Sequence, residues 1–131
     1  MAFITVRQWL TDRARLKHEL FDRRYAIYQR IEAFPAEIML SGTVEPGADL
    51  EFLQDTKLAY FAFGCDEAVK SIVDKLYCLA VDLHAAEEEL PGLTGADRSE
   101  NIAQQALIKH EFAAASRTLP KIFTKYLKLG H

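Results

Sequence analysis

The sequence predicts an all-α protein: a four-helix up-down bundle with a long first helix and a short C-terminal fifth helix after Pro120. Three observations carry that prediction. Apolar residues recur at helical spacing through four long stretches. Those stretches are separated by two loops rich in Gly and Pro and by one tight glycine turn. No stretch alternates with the period of two that marks a half-buried strand. The 131 residues form a single helical domain, residues 1–131, large enough to bury about two-thirds of its unfolded surface. Half of the residues are hydrophobic and 27% are charged, an ordinary globular composition.

The spacing predicts a first helix over 6–38. At about 100° per residue, Trp9, Leu16, Leu20, Ile27, Ile31 and Phe34 fall on one arc, the pattern of a buried face. Arg24 falls on that arc as well, and a charge facing a core needs a partner. Residues 41–49 form a loop by their Gly and Pro content. Asp49 is placed to cap a second helix over 50–63, and Gly64 to supply a left-handed exit. Asp66 then caps a third helix over 67–90, so the second and third form an antiparallel hairpin. The third has the cleanest pattern: Val69, Leu76, Leu83 and Leu90 at steps of seven, with Ile72, Val73, Leu79 and Ala80 between.

After a loop over 91–96, Asp97 and Glu100 resemble a capping box and start a fourth helix that runs to about residue 117. Pro120 removes a backbone donor and predicts a break, with Thr118 capping a short fifth helix over 120–127. The fourth helix has two apolar faces. The small one, Ala103, Ala106, Ala113 and Ala114 with His110 among them, is assigned to the core. The other, Ile108, Phe112, Ala115 and Leu119, needs cover from the terminal helix or a second chain, and is the expected face of a homodimer.

The helix lengths also predict a partner for Arg24. A second helix of about 14 residues climbs about 21 Å. Running antiparallel to the first, it ends beside residues 24–28. That brings the turn at Gly64 and Asp66 to Arg24, and predicts an Arg24–Asp66 ion pair. The functional alternative is an anionic ligand held by Arg24 at the N-terminus of the third helix.

Charge is unevenly spread. The net charge is −3, yet residues 1–30 hold seven Lys/Arg against three acids, a local +4. The overall balance argues against a nucleic-acid binder. The local excess suggests that the N-terminal end faces something anionic. An apolar start, then Arg7, Trp9, Arg13, Arg15 and Lys17, is the order found where a membrane helix emerges on the cytoplasmic side. Residues 1–14 then read as a juxtamembrane extension, and those five as membrane-facing. A frayed helix start with a hydrophobic staple fits the same residues. There is no signal-peptide pattern and no run of about 20 apolar residues. Cys65 and Cys78 lack metal or redox spacing and imply a reducing compartment.

The segments Leu20-Phe21-Asp22-Arg23-Arg24-Tyr25-Ala26-Ile27-Tyr28, Phe61-Ala62-Phe63-Gly64-Cys65-Asp66 and Phe123-Thr124-Lys125-Tyr126-Leu127 resemble a group of small uncharacterised bacterial proteins. In that group a single membrane helix precedes a cytoplasmic helical domain of this length. The resemblance implies an anchored bacterial domain and carries no catalytic residue. These 131 residues themselves hold no such helix.

Signatures of chemistry are sparse. His18, His84 and His110 are not preceded by Glu at the di-iron spacing. His84, Glu87, Glu88 and His110 are too few and too poorly spaced for a metal, and no cofactor is expected. No nucleophile elbow or phosphate-binding glycine loop is present. Cys65, at the start of the third helix, reads as a buried, inert thiol. The aromatic residues read as core rather than as a ligand pocket. The function expected is a non-catalytic interaction or scaffold domain, cytoplasmic and tethered to the inner membrane in the full-length protein. A soluble ligand-binding or sensing bundle is the alternative, and an enzyme of unrecognised type ranks third.

Overall fold

The computed structural model describes residues 2–128, with side chains from Arg7 onward. It is all-helical: α1 (Ala2–Ser41), α2 (Ala48–Thr56), the single-turn α3 (Ala59–Ala62), α4 (Glu67–Glu89) and α5 (Gly95–Phe123). Short 3-10 turns follow at Leu90–Gly92 and Thr124–Tyr126, and no strand occurs among the described residues. α1 packs on α2 and α5, α4 packs on α2 and α5, and α3 bridges α1 and α4.

The core is one cluster. Ile31, Phe34 and Ile38 of α1 meet Phe52 of α2, the α4 stripe of Val69, Leu76 and Leu83, and Ile108, Phe112, Leu119 and Phe123 of α5. Phe34 stacks on Phe52 at 4.1 Å between ring centroids, and Phe63 meets Phe123 edge-on at 4.9 Å. Such aromatic pairs add to simple area burial. The α4 heptad is therefore a core seam, as its spacing predicts. Asp66 caps it by accepting the Ala68 N–H at 2.8 Å.

Six expectations need correction. The second predicted helix is not continuous: it breaks at Lys57–Leu58 into α2 and α3. Buried Thr56 donates its hydroxyl to the Phe52 carbonyl at 2.7 Å, a back-bond that bends helices. Gly47, with φ 82°, rather than Asp49, precedes α2, and Asp49 lies in its acidic first turn.

No separate fifth helix exists, because α5 runs through Pro120 to Phe123. The proline forfeits one backbone bond. Leu119 and Phe123, one turn apart and both buried, keep the same face of the helix in the core across it. Thr118 bonds its own helix at the Ala115 carbonyl and caps nothing.

The two faces of α5 are exchanged. Ile108, Phe112, Ala115 and Leu119, the expected dimer face, lie in the chain's own core, covered by α1 and α4. Ala103, Ala106, Ala114 and His110 face solvent. Leu, Ile and Phe bury far more apolar area than Ala, so the larger stripe takes the inside.

Finally, the first helix is buried along only half its length. Ile31 and Phe34 are 0% and 1% exposed, whereas Trp9, Leu16 and Leu20 on the same arc are 56%, 62% and 40% exposed.

Candidate functional site

Two features stand out, an overhanging helix and the clasp at its base. α1 overhangs the body by residues 2–23, about 33 Å at the helical rise. Arg7, Trp9, Arg13, Arg15 and Lys17, the residues expected to face a membrane, are all exposed there. The Arg13 guanidinium lies over the Trp9 ring at 5.1 Å, and Arg15 pairs with Asp12 at 2.9 Å. Phe21 and Tyr25 stack at 6.0 Å near the foot of the overhang.

At the foot, Arg24 sits beside the α3–α4 turn, at the height the helix lengths predict. Its partner is not Asp66, and no ion pair joins the two. Instead Arg24 Nε donates to the Ala62 carbonyl at 2.7 Å. Ala62 ends the one-turn helix α3, so its carbonyl has no partner within the helix and carries the negative end of the local dipole. The guanidinium also lies 5.3 Å from the Tyr126 ring and 5.9 Å from the Phe63 ring.

Asp66 is occupied elsewhere. Besides capping α4, it accepts from the Tyr126 hydroxyl and from Lys125 Nζ at 3.2 Å. The Tyr126 hydroxyl, the Ala68 N–H and Lys125 together hold its carboxyl down to about 2. The same contact raises the Tyr126 phenol, and Asp66 raises Lys125. The turn itself is tight: Gly64 and Cys65 are both left-handed, with φ 69° and 59°. Cys65 is exposed, contrary to the expectation of a buried thiol. The clasp therefore joins α1, the α3–α4 turn and the Thr124–Tyr126 turn through Arg24, Phe63, Asp66 and Tyr126. Sequence reasoning located Arg24 and Asp66 and missed Tyr126, whose only signal is its place in the Lys125-Tyr126 pair after the last core phenylalanine.

Elsewhere the polar contacts are structural. Arg30 binds Asp55 at 2.7 Å and ties α1 to α2. Glu87 accepts the Val44 N–H at 3.3 Å and pins the α1–α2 loop to α4. His84 meets Glu88 at 3.0 Å, while His110 lies on the outer face of α5, so these residues do not converge. Among the described residues, no group of three His, Cys, Asp or Glu is placed to hold a metal. Burial pushes the Tyr28 phenol up to about 12, with Glu32 adding to the shift. Buried Asn101 donates to the Ala86 carbonyl at 3.0 Å and joins α5 to α4. An open cleft of about 330 Å³ lies between the α2–α3 break and α4, lined by Leu53, Phe61, Val73, Lys57 and Lys70.

No helix among the described residues is long and apolar enough to cross a membrane. Comparison with protein-family models, with curated proteins and with solved structures gives no match for this chain.

Proposed function

We propose that this chain is a non-catalytic interaction or scaffold domain, held at the cytoplasmic face of a bacterial membrane by the direction from which α1 arrives. The observation that supports this reading is the overhang: a helix that leaves the body, keeps its apolar side chains exposed and carries Arg7, Trp9, Arg13, Arg15 and Lys17. Trp and basic residues in that order suit the headgroup region of an anionic leaflet. In this reading the body is an up-down bundle of α1, α2–α3, α4 and α5, standing on the membrane with α1 as its stalk. The resemblance to small anchored bacterial proteins points the same way.

Flotation of the protein with vesicles tests it. Anionic vesicles are expected to carry the protein and neutral ones not, with binding falling as salt rises. Replacing Arg7 and Arg15 by Ala should weaken flotation, at about 1 kcal/mol per charge near the surface. Equal binding to both vesicle types removes the electrostatic part of the reading.

A further inference from the structure

We draw no further inference here: the strongest candidate, the exposed apolar stripe of Trp9, Leu16 and Leu20 on the overhanging half of α1, carries none, because nothing in the structure shows what covers it.

Discussion

The two halves of α1 carry the same pattern and have opposite fates. From Ile27 to Ile38 the stripe is packed against α2 and α5; from Trp9 to Leu20 it is open. Nothing in the spacing separates them. The difference is set by how far the other helices reach, and that depends on α3 being one turn long and ending in the Gly64–Asp66 turn beside Arg24. Periodicity identifies a face; the lengths of other elements decide whether that face finds a partner in the same chain.

The comparison can be broken most forcefully by truncating the same arc in each half. Phe34→Ala should destabilise the fold by about 3–5 kcal/mol, because it removes the stack on Phe52 and opens a cavity. Leu16→Ala should stay within about 0.5 kcal/mol, as exposed positions do. Urea denaturation followed by circular dichroism measures both. Comparable losses at the two sites would mean that the overhang is packed in solution.

Pro120→Ala comes next. It restores a donor in the last turn of α5 without touching the core stripe, and should raise stability by about 1–3 kcal/mol in the same assay. Destabilisation would show that Pro120 itself is needed to seat Phe123.

At the boundary between the halves, Arg24→Lys replaces the guanidinium that bonds Ala62 and lies over the Tyr126 and Phe63 rings. The expected loss is about 1–2 kcal/mol, and crosspeaks of Phe63 and Tyr126 should move with it. Unchanged stability would mean that the foot of the stalk is held by apolar packing alone.

The smallest effect lies at Asp66. Its carboxyl is depressed in the folded state, so the contribution it makes is present above its ordinary pKa of 3.8 and is lost as pH falls towards about 2. Tyr126→Phe removes the largest cause of the depression. The Asp66 titration, followed by carboxyl carbon NMR, should then move up towards 3.8, and the clasp should open at correspondingly higher pH. A titration that stays near 2 would assign the depression to the Ala68 N–H and Lys125 instead.

What was legible in the sequence follows the same division. The α4 seam could be read because a single unambiguous heptad needs only one buried side. Gly64 and Asp66 could be read because left-handed exits and side-chain caps are local chemistry. Arg24 was placed at the right height by helix length, but its partner was not, because a one-turn helix frees a carbonyl that spacing does not reveal. The break at Thr56 depends on a back-bond to Phe52, again invisible in the pattern. α5 was read inside out because both faces are apolar, and only the total area buried by Ile108, Phe112 and Leu119 ranks them. Pro120 misled because the local cost of a missing donor is smaller than the burial of Leu119 and Phe123 on either side. The basic overhang was visible as composition, whereas the direction of its stripe required the body.

The clasp has a consequence for the order in which the chain folds. It closes contacts between residue 24, residues 62–66 and residues 125–126, nearly the whole length of the sequence. The α4–α5 pair needs only a short connection, so its contacts form at little loop-closure cost, while the clasp must wait for the long loop to close. Interactions that form after the rate-limiting step govern how fast a protein comes apart and not how fast it assembles. Replacing Tyr126 should therefore steepen the approach to unfolding with little change in the folding rate, and the foot of the stalk should be the first part of the body to open.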